Sequence, residues 1–193
     1  MRIILGLGNP GREYRETRHN VGFEVVERLC LRHGISLTRM RHRSRYGTGR
    51  IGGLRVLLAT PLTYMNLSGE AARPLLDYHG LSADELIVVH DEADLSPGIV
   101  RIKVGGGIAG HNGLRSIVRH LGTNEFTRVR IGIGRPRKEG TDMERHVLAR
   151  PTSGETRLLE EGLDLAVDAV ECLLAEGAEA AMRQFHTRSD EDR

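Results

Sequence analysis

A glycine turn set directly behind a buried strand is the feature that most constrains this chain. Ile3-Ile4-Leu5 is a short apolar run of the kind that fills the middle of a sheet. Gly6-Leu7-Gly8-Asn9-Pro10-Gly11 then forces a tight turn. From there Val21, Val25, Val26 and Leu29 fall at helix spacing. Strand, turn and helix in that order open an α/β fold. Two side chains at this junction are equipped for chemistry. Asn9 offers one acceptor and two donors, and His19 is the residue best able to exchange a proton near neutral pH. His19 stands near the start of the helix, where the dipole disfavours an imidazolium. A neutral imidazole is the form a general base needs.

The alternation continues along the chain. Tyr46 to Ile51 and Leu54 to Thr60 read as strands joined by a Gly52-Gly53 hairpin. Pro61 to Asn66 is a loop. Ser68 is placed to cap a helix that runs to His79 and stops at Gly80, with Pro74 predicting a kink or a short 3₁₀ start. Ser82-Ala83-Asp84-Glu85 has the pattern of a capping box and one turn. Leu86-Ile87-Val88-Val89-His90 is a continuous apolar run, the mark of a central strand, and it ends on Asp91-Glu92-Ala93-Asp94. Ile99 to Val104 alternates apolar residues with Arg101 and Lys103. Gly105 to Gly110 is the most flexible segment by composition, and it opens a helix from His111-Asn112 to about Leu121. Val129 to Ile133 is a further strand and residues 134–141 a loop. A long helix from Glu155 carries Leu159, Leu163, Ala166, Val170 and Leu173 on one face, a shorter one reaches about Phe185, and residues 187–193 form a frayed tail. The expected architecture is one domain over residues 1–193: an α/β fold whose twisted, mixed β-sheet is flanked by helices on both faces.

A net charge of +2 hides an asymmetry. Residues 1–138 hold 22 basic and 12 acidic side chains, whereas residues 139–193 hold 6 and 14. One basic stretch comprises Arg39, Arg41, Arg43, Arg45, Arg50 and Arg55, with no acid among them. The other runs from Arg101 and Lys103 through Arg115, Arg119, Arg128 and Arg130 to Arg135, Arg137 and Lys138, broken only by Glu125. Such runs suit a phosphate backbone or a solvated surface. With 4% aromatic residues and no Trp, base stacking is not expected to dominate an RNA contact. No apolar run approaches the roughly 20 residues of a membrane helix, and no leader peptide is read at the N-terminus. Cys30 and Cys172 read as reduced core thiols of a cytoplasmic protein.

Several chemistries are poorly matched. Gly6-x-Gly8-x-x-Gly11 fits a dinucleotide fingerprint, but Asn9-Pro10 interrupts it and the nearest acids, Glu24 and Glu27, lie within a helix. No phosphate loop accompanies Asp91-Glu92-Ala93-Asp94. Histidine spacing does not follow a zinc motif, and neither a serine elbow nor a cysteine nucleophile is evident. Asn9, Asn66, Asp91 and Asn112, however, all follow strands, where open α/β sheets bind ligands, and His19 lies close behind. A base, a carboxylate to hold its tautomer and amides to position a carbonyl would activate water. Asn66 and Asn112 read equally well as helix caps, Asp91 as a turn residue, and His111 more readily as structural than catalytic.

Gly6 to Gly11, Tyr14, Thr17-Arg18-His19-Asn20, Met65-Asn66-Leu67-Ser68-Gly69, His90-Asp91-Glu92, Asp94-Leu95, Gly105-Gly106-Gly107 through Gly110-His111-Asn112-Gly113-Leu114, and Arg128 to Gly134 together resemble bacterial peptidyl-tRNA hydrolase. The resemblance implies cleavage of the ester between a peptide and the 3′ ribose of tRNA, without metal or other cofactor. It implies catalytic roles for His19 as base, Asp91 as its partner, and Asn9. It implies substrate contacts at Asn66, Asn112, Tyr14, Met65 and Tyr64, and tRNA phosphate contacts at Arg101, Lys103, Arg115 and Arg130. The partner is then tRNA, the protein a cytoplasmic monomer, and no membrane is involved. Ala109-Gly110 stands where the family usually has two glycines, and Asp94-Leu95-Ser96 where Asp-Leu-Pro is usual; a methyl at Ala109 disfavours positive φ. A non-catalytic RNA-binding module on the same fold is the alternative.

Overall fold

The computed structural model describes residues 1–136, 140 and 142–187. Arg137 and Lys138 of the second basic stretch, part of the 134–141 loop, and the tail from residue 188 lie outside the described residues. One seven-stranded sheet organises the chain, in the order β2-β3-β4-β1-β5-β7-β6. The strands are β1 (Arg2–Gly6), β2 (Arg39–Arg41), β3 (Ser44–Ile51), β4 (Leu54–Pro61), β5 (Leu86–Glu92), β6 (Val100–Val104) and β7 (Thr127–Gly132). The four inner strands β4, β1, β5 and β7 are parallel, and β2, β3 and β6 run antiparallel to their neighbours. The sheet is therefore mixed, as expected.

The helices are α1 (Val21–His33), α2 (Gly69–His79), α3 (Asn112–Leu121), α4 (Met143–Val147), α5 (Ser153–Glu176) and α6 (Ala178–Thr187). Period-2 alternation in the strands divides the core between two faces. Ile4, Val89, Val129 and Ile131 pack with Val25, Val26 and Leu29 of α1 and Leu163, Val167 and Val170 of α5. Ile3, Leu5, Leu57 and Val88 pack with Leu75 and Leu76 of α2 and Leu114 and Ile117 of α3. The first glycine of the opening turn serves this packing: a Cβ on Gly6 would lie 2.1 Å from the Gly22 carbonyl oxygen, so α1 can cross β1 closely only over glycine.

One local expectation needs correction in part, and two elements were not foreseen. Ser68 holds the N-cap position of α2, as expected, but its side chain makes no capping bond; the hydroxyl instead donates to the Met65 carbonyl at 2.8 Å, at the end of a 3₁₀ turn over Met65–Leu67. That turn is the short 3₁₀ start expected as the alternative to a kink, and α2 runs on through Pro74. Two short elements had no periodic signal: β2, an exposed Arg-Met-Arg edge, and the five-residue α4. The Ser82–Glu85 capping box, the Gly52-Gly53 hairpin and the two free cysteines match the sequence reading.

Candidate active site

β1 lies at the centre of the sheet with β4 and β5 on either side, so chain direction diverges there and a crevice opens past the strand ends. The loops leaving these strands carry the predicted residues. Asn9, Tyr14, His19, Tyr64, Met65, Asn66, Asp91 and Asn112 all line one cleft of about 500 Å³. The opposite wall comes from α4 and its flank, through Met143, Glu144, Val147 and Leu148.

His19 sits in a 3₁₀ turn immediately before α1 and is 8% exposed. Its Nδ1 lies 2.9 Å from both Asp91 carboxylate oxygens. A carboxylate only accepts, so Nδ1 carries the ring proton and Nε2 keeps its lone pair. Among the described residues nothing bonds Nε2. His111 reaches the same carboxylate, with Nε2 2.9 Å from Oδ1. Its tautomer is fixed from the other side. Nδ1 caps α3, accepting from Gly113 N at 3.1 Å and Leu114 N at 3.3 Å, so the proton resides on Nε2 and is donated to Asp91. His111 is thus both cap and second partner of Asp91, more than the structural residue expected. Burial alone would push the Asp91 carboxyl up. The imidazoles of His111 and His19 more than reverse this and hold it well below the usual carboxylate range.

The ligand atoms of His19, Asp91 and His111 lie within 4.8 Å of one another, a spacing compatible with a metal that sequence separation concealed. The donor chemistry does not fit. A metal on His111 Nε2 would move the ring proton to Nδ1, against two backbone N–H groups.

Asn9 has a fixed amide orientation. Its Oδ1 accepts from Met65 N at 2.7 Å, while its backbone is paired both ways with the Asn20 side chain at 2.9 Å. Nδ2 is left as the group presented to the cleft. Tyr14 and Tyr64 meet edge to face at 6.3 Å on the rim. Asn66 and Asn112 are exposed at the cleft edge, and Asn112 Oδ1 takes a bond from Arg115 at 3.1 Å.

Arg101, Lys103, Arg115 and Arg130 do not line the cleft. Arg130 bonds Glu92 through Nε at 3.1 Å and Nη2 at 2.9 Å, and Arg101 donates to the Val100 and Phe185 carbonyls. Arg128, read in sequence as part of a phosphate-facing run, is 2% exposed. It donates to the carbonyls of Gly105, Gly106 and Gly107, because the glycine loop folds over it. Sequence reasoning also missed Arg18. This buried side chain pairs with Glu155 at 2.6 Å and donates to the carbonyls of His146, Ala149 and Arg150, tying the end of α4 to the residue beside His19. Its partners lie more than a hundred residues away, so no local pattern could mark it.

The peptidyl-tRNA hydrolase family model matches residues 3–192. The peptidyl-tRNA hydrolase of Bacillus subtilis (strain 168) is 45% identical over 188 residues, covering 97% of this chain and all of its own. That of Geobacillus kaustophilus (strain HTA426) is 47% identical over 171 residues, 89% of this chain and 91% of the relative. The crystal structure of the Acinetobacter baumannii enzyme superposes with a TM-score of 0.90 at 41% identity, covering 96% of this chain and 94% of that one. With its fold, its motifs in order and near-complete coverage agreeing, the chain belongs to the peptidyl-tRNA hydrolase family.

Proposed function

We propose that this protein hydrolyses the ester joining a peptide to the 3′ ribose of tRNA, with His19 as the base. One observation carries the mechanism: a histidine whose Nδ1–H is held by a buried carboxylate while its Nε2, in a cleft, is unengaged among the described residues. Nε2 takes a proton from water as the water oxygen attacks the ester carbonyl carbon. The carbonyl π electrons move to oxygen, and the Asn9 Nδ2–H, left over because Oδ1 is engaged by Met65 N, donates a hydrogen bond to the oxyanion that forms. Collapse breaks the bond to the ribose 3′ oxygen, which takes the proton back from His19, and the peptide leaves as a carboxylic acid that ionises. Asp91 does not need to change protonation; it stabilises the imidazolium that forms.

On this reading Asn66 and Asn112 orient the 3′ end, while Tyr14, Tyr64, Met65 and the α4 wall line the peptide. Arg101, Lys103, Arg115 and Arg130 contact phosphates, Arg130 by exchanging Glu92 for a phosphate. The protein is read as a monomer, since the cleft needs no residue from a second copy. No helix among the described residues is long and apolar enough to cross a membrane, in keeping with work in the cytoplasm. The intact His19–Asp91–His111 arrangement disfavours a non-catalytic module.

The test is release of labelled N-blocked amino acid from aminoacyl-tRNA, with and without chelator, by wild type and His19→Ala. Base catalysis contributes on the order of 10²–10⁴-fold, so the variant should lose that much turnover while retaining tRNA affinity. Unchanged turnover would remove His19 from the mechanism. Chelator-sensitive release would reinstate a metal.

A further inference from the structure

The first basic stretch found no place in the cleft. Its strand β2 forms one edge of the sheet, and Arg39, Met40 and Arg41 are all exposed. Register puts these arginines on a definite face. Arg39 pairs with Tyr46, Tyr46 with Ala59, Ala59 with Leu5, Leu5 with Val88, Val88 with Arg128, and Arg128 with Lys103. Directly paired residues project to the same side. One row across seven strands therefore begins at Arg39 and ends at Lys103, both on the α2/α3 face. At a strand spacing of about 4.8 Å, β2 and β6 each lie about 14 Å from β1, on opposite sides of the cleft.

The β2 edge is cationic and open. Arg43 pairs with Glu70, but no carboxylate among the described residues pairs with Arg39, Arg41 or Arg55. Arg39 lies over the Tyr46 ring at 6.0 Å and Arg41 over the Tyr78 ring at 5.8 Å, so aromatic faces brace both guanidiniums. The β2–β3 turn is built from His42 (φ 55°) and Arg43 (φ 52°), where a two-residue turn of this geometry favours Asn-Gly. The His42 ring lies tilted against that of Tyr78, centroids 4.6 Å apart. Such strain tends to persist where it presents function. Burial first, then His42, Arg39 and Arg55, hold the His79 imidazole below its usual range, a sign of local positive charge.

We propose that the β2 edge, through Arg39 and Arg41, is a second contact for the phosphate backbone of the RNA substrate, on the side of the cleft away from β6. This rests on the hydrolase reading. Charge complementarity names the occupant: Arg39 and Arg41, unpaired with a carboxylate among the described residues, and Lys103 stand at opposite ends of a face whose centre lies beside the scissile ester of a polyanion much larger than the cleft.

The test is the double variant Arg39→Ser/Arg41→Ser, assayed on peptidyl-tRNA and on a blocked aminoacyl ester of adenosine. Each lost phosphate contact flattens the salt slope by roughly 0.7–0.9. Between 50 and 200 mM salt, wild type should thus lose about ninefold more kcat/KM on peptidyl-tRNA than the variant does. The adenosine ester should be cleaved equally by both, and Arg39→Lys/Arg41→Lys should retain the steep slope. Equal slopes would overturn the proposal and leave the arginines as guards against edge-strand pairing. Equal loss on both substrates would overturn it in favour of a structural role. Binding of uncharged tRNA gives the same slopes without turnover. An inactive wild type would therefore sink the hydrolase reading while the slopes still decide the contact.

Discussion

Replacing Asp91 by Asn should disable the enzyme by changing a tautomer and not by changing a shape. Two ring N–H groups converge on the carboxylate: His19 Nδ1 reaches both oxygens at 2.9 Å and His111 Nε2 reaches Oδ1 at 2.9 Å. A carboxamide has one acceptor atom. His111 cannot adapt, because its Nδ1 is committed to the α3 cap. The Asn oxygen must therefore occupy the Oδ1 place, and its NH2 then stands 2.9 Å from His19 Nδ1. Nδ1 then lies 2.9 Å from the shared oxygen and equally 2.9 Å from a facing amide donor. The Nδ1–H tautomer thus loses an acceptor and meets a donor, and the balance shifts toward the Nε2–H tautomer, which presents N–H where water needs a lone pair. The loss should match removal of the base, on the order of 10²–10⁴ in kcat, or about 3–5 kcal/mol of barrier. KM should change little, since Asn9, Asn66 and the tRNA contacts are untouched. Steady-state hydrolysis of N-blocked aminoacyl-tRNA reads the rate, and ¹⁵N imidazole spectra read the tautomer. A variant that keeps wild-type turnover, or whose His19 still carries its proton on Nδ1, refutes the reasoning.

Three further outcomes follow from the surroundings of the site. Burial first, then repulsion from Glu160, push the Glu24 carboxyl up to about 7, against roughly 4.3 in an unfolded chain. The folded state binds the extra proton between these values, so stability falls as pH rises through that window and the whole penalty applies above about pH 7. Glu24→Gln should therefore gain roughly 1–3 kcal/mol at pH 8 and almost nothing at pH 4 in urea titrations, and a gain independent of pH would contradict the assignment. Arg128→Met takes the side-chain donor from the carbonyls of Gly105 and Gly107 and leaves that of Gly106 to Asn124 alone; it should cost roughly 2–4 kcal/mol and speed amide exchange across residues 105–110, and unchanged exchange there would show that the loop is held by something else. Ala109 adopts φ 49° despite its methyl group, so Ala109→Gly should raise Tm by about 1–4 °C, and a lower Tm would mean that the left-handed conformation carries no strain.

What could be read from sequence was whatever has a local cause. Ile3 to Leu5 and Leu86 to His90 are legible as inner strands because burial on both faces demands unbroken apolar runs. Asn9, Asn66, Asp91 and Asn112 are legible as site candidates because a parallel sheet delivers its strand ends to one crevice, and the cleft does gather them with His19. The chain hides what depends on distant partners. β2 has an Arg-Met-Arg pattern and a His-Arg turn, neither of which signals a hairpin; pairing with β3 imposes both. α4 is too short for periodicity and is held by Arg18 from across the chain.

Charged residues were the least legible, and for a physical reason. Arg128 alternates with Val129 and Arg130 as a solvent-facing cation would, and nothing local distinguishes the two arginines. Their fates diverge only when the glycine loop supplies three carbonyls to one and Glu92 supplies a carboxylate to the other. An apolar side chain gains by burial almost anywhere, so pattern suffices to place it. A guanidinium can be buried only where the rest of the fold delivers acceptors, so its location follows from topology and cannot precede it. The same logic makes Arg39 and Arg41 informative: among the described residues no carboxylate pairs with them, which is what the proposed phosphate contact requires.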